Sequence, residues 1–159
     1  MLAKKAFQVL FPVIGGSIIG KLTTSNAKKD YKKFKQAPYS PPKEAFGIVW
    51  PLLYTTMGIA YSIVSECKDN KESKYAYYIQ LGLNYLWSLL YFKFKLRGTA
   101  LIESYVLLAA VIVTTVSFYK HNKLAGILLI PYVIWSAFAS YLNAGNWILN
   151  RNNRKYSNE

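Results

Sequence analysis

Long apolar runs alternate with short polar clusters along this chain. A bilayer core about 30 Å thick is spanned by roughly 20 apolar residues in helical form. Five stretches are about that long: Ala6–Thr24, Pro42–Ser65, Tyr75–Phe92, Thr99–Tyr119 and Lys123–Leu149. The fourth is the clearest, because ALIESYVLLAAVIVTTVSFY carries a single charge, Glu103. Its Val, Ile and Thr content would suit a strand, but no strand runs that far without a turn. Lys4 and Lys5 before the first run resemble a signal peptide, yet no small-x-small cleavage site follows, so this run reads as a retained span. The pattern predicts an all-α membrane protein, a five-transmembrane-helix bundle forming one domain over residues 1–159. A polar loop is expected at about 25–41, and a polar tail at 150–159 is expected to fray.

Prolines punctuate the second and fifth stretches. Ser40 suits an N-cap, with Pro41 and Pro42 opening the helix, where a missing N–H costs nothing. Pro51 and Pro131 fall inside their helices and should bend them. Freed backbone groups at membrane depth need protein or a cavity to satisfy them. Two readings follow, a pocket between bent helices or ordinary kinks in a tight bundle.

Charge adds orientation. The chain holds 20 Lys and Arg against 7 Asp and Glu, for a net charge of +13. The cations lie in clusters between apolar runs, as in membrane loops, which argues against a nucleic-acid-binding face. Seven fall at one set of helix ends and thirteen at the other, which includes the first loop and the tail. The positive-inside rule places that second side, with the C-terminus, in the cytosol. The loop KKDYKKFKQAPYSPPK reads either as a solvated surface on anionic lipid or as a lid whose lysines attract a carboxylated amphiphile. One cysteine, Cys67, and one histidine, His121, supply neither a disulfide nor a metal site, and no cofactor is indicated.

The candidate chemistry lies in aromatic and amide side chains. Trp50, Tyr54, Tyr85, Trp87, Tyr132 and Trp135 fall within spans, away from the interfaces where aromatic belts belong. Such rings either pack the core or sandwich a flat, apolar ligand. Gln80, Asn84 and Asn143 must face the bundle, as interhelix bonds or as ligand contacts. Glu103 is expected at the interface, held by Lys95 and Arg97 and by the helix dipole. Gly16 and Gly20 form a GxxxG with Gly15 beside it, a motif that would serve a homodimer or a membrane scaffold.

Three blocks together resemble one family. Ala37–Gly58 reads APYSPPKEAFGIVWPLLYTTMG, Gln80–Trp87 reads QLGLNYLW, and Leu128–Asn143 reads LLIPYVIWSAFASYLN. In order and spacing they are similar to the translocator protein family, also called peripheral-type benzodiazepine receptors or tryptophan-rich sensory proteins. The resemblance runs from about Pro12 to Leu149. It implies a five-helix bundle with a cytosolic C-terminus and an interhelical pocket closed by the first loop. It implies a binding or transport protein for porphyrins such as protoporphyrin IX, with sterols and isoquinoline- or benzodiazepine-type compounds as further ligands, in the outer mitochondrial membrane. By position, Trp50, Asn84, Trp87, Phe92, Trp135, Ala139 and Leu142 are the implied ligand-binding residues. Some members are thought to degrade porphyrin in light, and Trp50 and Trp135 match the tryptophans invoked. Lys21 stands where the family often has arginine. The chain departs from the family at Ala37 and Tyr39 in the loop, at Thr99 where a pocket tryptophan is common, and at Ala144 and Ile148 in the sterol-recognition motif.

Overall fold

The computed structural model places all 159 residues, and the chain is helical throughout. Six α-helices run in order: α1 Leu2–Thr23, α2 Ala27–Lys33, α3 Lys43–Val64, α4 Lys71–Ser88, α5 Arg97–His121 and α6 Lys123–Asn150. A π-helical turn, Leu89–Lys93, continues α4. Four helices, α1, α3, α5 and α6, are long and apolar enough to cross a membrane. The expected third span, α4, is not among them. Its sequence KESKYAYYIQLGLNYLWS opens on charges and carries a glutamine and an asparagine.

Other boundaries differ from the sequence reading. Ser40 is not an N-cap; its Oγ donates to the Ala37 carbonyl at 2.7 Å, and Pro42 precedes the first turn of α3. The first loop contains a helix, α2, with Asp30 in its first turn and Lys32 and Lys33 in its last, the polarity the helix dipole favours. The tail does not fray. Tyr156 is 1% exposed, and Asn158 N and Ser157 Oγ both donate to the Lys95 carbonyl, at 2.9 and 2.8 Å. Lys95 reaches this position in the left-handed region, at φ 54°.

Long neighbours pack closely where small residues allow it. A single residue, Asn122, joins α5 to α6, and its Oδ1 caps α6 by accepting from Ala125 N at 3.1 Å. Ser140 Oγ then ties α6 to the Ser104 carbonyl of α5 at 3.3 Å. The backbone of α1 lies directly on Gly58 of α3, where an added Cβ would stand 2.7 Å from Val9 Cα. Gln8 Nε2 donates to Ser65 Oγ at 3.0 Å along the same seam. Pro12 also lies inside α1, a third intrahelical proline, and its carbonyl accepts from Tyr85 OH at 2.8 Å. Gly15 and Gly16 take up the rings of Tyr85 and Tyr54 from the same chain, so these glycines are already filled.

The bundle has two unlike ends. At the end where Lys5 pairs with Glu66, the core is solid. Tyr61 and Tyr77 stack at 4.2 Å and 7°, surrounded by Met57, Val64, Phe118 and Leu129, each 1% exposed or less. Mid-bundle, Tyr54 OH donates to Asn84 Oδ1 at 2.5 Å, and Asn84 Nδ2 donates to Tyr132 OH at 2.8 Å. This buried relay links α3, α4 and α6. Beyond it, toward α2 and the tail, the helices separate around a void.

Candidate functional site

The void is a cavity of about 390 Å³ between α1, α3, α4 and α6, roofed by α2 and the tail. Three tryptophans form its walls, each from a different helix: Trp50 of α3, Trp87 of α4 and Trp135 of α6. Trp50 and Trp135 meet edge to face at 6.4 Å and 88°. Phe46 meets Trp135 at 5.7 Å and 68°. Trp87 stacks on Tyr91 at 5.1 Å and 20°, with Phe92 against its edge at 5.7 Å. The π-helical turn carries both Tyr91 and Phe92 to the cavity, a placement often found for such turns at functional sites. An edge-to-face contact occupies only one face of one ring, and a planar guest binds by covering faces that remain free.

Six of the seven residues implied by resemblance line this space: Trp50, Trp87, Phe92, Trp135, Ala139 and Leu142. Asn84 does not. It is 2% exposed and its amide is spent on Tyr54 and Tyr132, so it closes the cavity floor from behind. Asn143 lines the cavity, is 2% exposed, and bonds to no other helix. The indole N–H groups of Trp87 and Trp135 also lack partners. Pro51 lines the cavity together with Gly47, whose carbonyl it frees, while Pro131 lies on the exposed face of α6. Of the two prolines, Pro51 alone borders the cavity.

Glu103 departs from its expected place. It is 8% exposed, and neither carboxylate oxygen has a hydrogen-bond partner. Lys95 and Arg97 turn instead to Asp30, at 4.0 and 2.7 Å. Six residues of helix rise, about 9 Å, separate Glu103 from Arg97 along the α5 axis.

The roof is fastened by residues the sequence reading missed. Asn146 Oδ1 accepts from Ala37 N at 2.7 Å, and Asn150 Oδ1 accepts from Lys35 N at 3.0 Å. Asn150 Nδ2 returns a bond to the Lys35 carbonyl at 2.8 Å. Ala37 earns its place here, since a proline would have no N–H for Asn146. Gly145 permits the approach, because a Cβ there would stand 2.5 Å from Ala37 Cβ. Tyr31 OH donates to the Pro41 carbonyl. Partial burial raises the Tyr31 pKa, and burial beside Tyr91 raises that of Tyr156, so both phenols stay protonated. Tyr39, at the variant loop position, is 90% exposed and takes no part in the cavity. Thr99 also lies off the cavity. Its backbone N–H donates to Glu159 Oε1 at 3.0 Å, as Gly98 N does to Oε2 at 2.7 Å. Only Lys28 and Lys43 of the lysines reach the cavity lining.

Fold and site together define an all-helical, multi-pass membrane protein with an aromatic-walled cavity at one end of its bundle. The chain belongs to the TspO/MBR family, whose family model matches residues 8–148. It is 37% identical to the tryptophan-rich protein TspO of Archaeoglobus fulgidus over 130 residues, 80% of this chain and 84% of that one. It is 32% identical to the translocator protein homolog of Schizosaccharomyces pombe over 147 residues, 89% of this chain and 88% of that one. Its identity to the Homo sapiens translocator protein is 30% over 143 residues, 87% of this chain and 85% of that one.

Proposed function

We propose that the protein binds and carries porphyrins, protoporphyrin IX and heme-related rings among them, in the cavity between its helices. Trp50, Trp87, Phe92, Trp135, Ala139 and Leu142 form the binding surface. The observation that carries this reading is the cavity of about 390 Å³ walled by three tryptophans from three different helices. Its size falls within the range of about 300–1,000 Å³ common for small-molecule sites. The unpartnered groups of Trp87, Trp135 and Asn143 are buried in the cavity wall, and a rotation of these side chains would bring donors and an acceptor to the guest's polar edge. Isoquinoline- and benzodiazepine-type compounds fit the same chemistry. Sterols are a weaker match, since Ala144 and Ile148 supply neither the tyrosine nor the basic residue of the recognition motif.

In this reading α4 and its π-helical turn form the fifth span, shielded by its neighbours. The first loop and the C-terminus face the cytosol, on the outer mitochondrial membrane. Titration of the detergent-purified protein with protoporphyrin IX in the dark, followed by tryptophan fluorescence, is expected to give saturable quenching with an unchanged porphyrin spectrum. Linear, unsaturable quenching contradicts the reading.

Light-dependent porphyrin degradation is the second reading, favoured by the edge contact of Trp50 and Trp135. Indole is oxidisable and can pass an electron to an excited ring. Loss of the porphyrin bands on illumination, abolished by Trp50→Phe or Trp135→Phe, would move the function to this class.

A further inference from the structure

We infer that Arg97 is the group that receives a carboxylate of the bound ring, and that Asp30 holds the place until the ligand arrives. This rests on the reading of the cavity as a planar-ligand site, and names the ligand class as planar amphiphiles bearing a carboxylate. Arg97 lines the cavity and is 2% exposed, the one buried cation of the chain. A buried guanidinium requires a counter-charge and acceptors for its five N–H groups. Here it is under-served. Nη2 donates to Asp30 Oδ2 at 2.7 Å, Nε reaches the Tyr91 carbonyl at a long 3.4 Å, and Nη1 makes no hydrogen bond. Asp30 thus engages the fork through one oxygen, where a well-placed carboxylate engages it through two.

The surroundings suit an exchange of carboxylates. The rings of Tyr156, Tyr91 and Phe34 lie 4.4, 5.1 and 5.2 Å from the guanidinium carbon and fix its position whichever anion it holds. Its backbone N–H is held by Ser157 Oγ at 3.1 Å. Asp30, by contrast, sits on α2, a seven-residue helix with no buried residue. Moving α2 shifts the Phe34 ring that caps it, while Tyr91 and Tyr156 keep their hold on Arg97 from other segments. Lys28 and Lys43 also border the cavity, but they are not buried and hold no fixed geometry toward it. Arg97 is therefore the discriminating cation and the loop lysines a diffuse field. An incoming carboxylate takes the guanidinium, Asp30 is left to Lys95, 4.0 Å away, and to water, and α2 loses its fastening to Arg97.

The test compares protoporphyrin IX with its dimethyl ester on the full-length protein in one neutral detergent, read by dark tryptophan quenching. In the wild-type protein the diacid is expected to bind more tightly than the diester. Arg97→Met should weaken the diacid by about tenfold or more, the loss of a charge-assisted pair, and change the diester less than about twofold. Asp30→Asn should tighten the diacid several-fold and leave the diester unchanged. Because the ester probes the folded wild-type cavity without any substitution, a misfolded variant cannot mask the result. Equal affinities of diacid and diester in the wild-type protein, with saturable binding of both, would overturn the role of Arg97 and leave the cavity reading standing. Absence of saturable binding by both would overturn the two together.

Discussion

The half of the bundle around Tyr77 and the half around Trp50 use the same kind of side chain and differ in what fills the space between the rings. In the first, Tyr61, Tyr77 and Phe118 stack on one another and exclude everything else. In the second, Trp50 and Trp135 meet edge to face, Trp87 stands apart from them against Tyr91, and the three surround a void. The Tyr54–Asn84–Tyr132 relay marks the boundary. Aromatic content alone therefore does not make a binding site. Ring orientation does, because stacked faces are satisfied and free faces are not.

Substitutions should fall on opposite sides of that boundary. The largest effect on stability is expected from Tyr77→Ala, which empties a site 1% exposed. Its cost is about 3–5 kcal/mol, seen as a lower melting temperature in detergent, with porphyrin affinity of the surviving fold unchanged. Asn84→Leu leaves two buried tyrosine hydroxyls without a partner and should cost about 1–3 kcal/mol, tempered by the weaker net value of interhelical bonds in membranes. A ligand-affinity loss as large as the stability loss would place Asn84 in the site after all. Trp50→Ala and Trp135→Ala should each weaken porphyrin binding by about 1–3 kcal/mol through lost stacking and burial. Their melting temperatures should fall less than that of Tyr77→Ala. The smallest effect is expected at the roof, from Glu159→Gln. Partial burial pushes the Glu159 carboxyl up, but bonds from Thr99, Gly98 and Ser157 outweigh it and hold the pKa below the usual value. The carboxylate's stabilisation is thus complete above the ordinary carboxylate range and fades as pH falls through the lowered value. Melting curves against pH should show this acid-side decline in the wild-type protein and its absence in Glu159→Gln.

Much of the scaffold was legible in the sequence. Four runs of apolar residues dictate four long helices by length alone. Trp50 and Trp135 stand out in the sequence because they sit mid-span, away from the interfaces, and the order of three sequence blocks points to the family. Pro12 carried the same signal as Pro51 and could have been read. Other features left no local trace. The segment AKKDYKK looks like a charged loop, and the partner of its Asp30, Arg97, lies 67 residues away. The tail is polar in composition, yet Tyr156 is buried beneath that same arginine. Asn146 and Asn150 read as ordinary helix-end amides until the loop lies across them. Each of these depends on a partner distant in sequence, which periodicity cannot supply.

The central claim is that the tryptophan-walled void, and no other surface, takes the planar ligand. Ala139 lies on its wall, and Ala139→Phe would fill the void without removing a tryptophan. Dark titration of this variant with protoporphyrin IX, alongside the wild-type protein, tests the claim most directly. Saturable quenching should be lost in this variant while helicity and melting temperature are kept. Saturable quenching of undiminished affinity in the filled variant would place the porphyrin elsewhere on the bundle and contradict it.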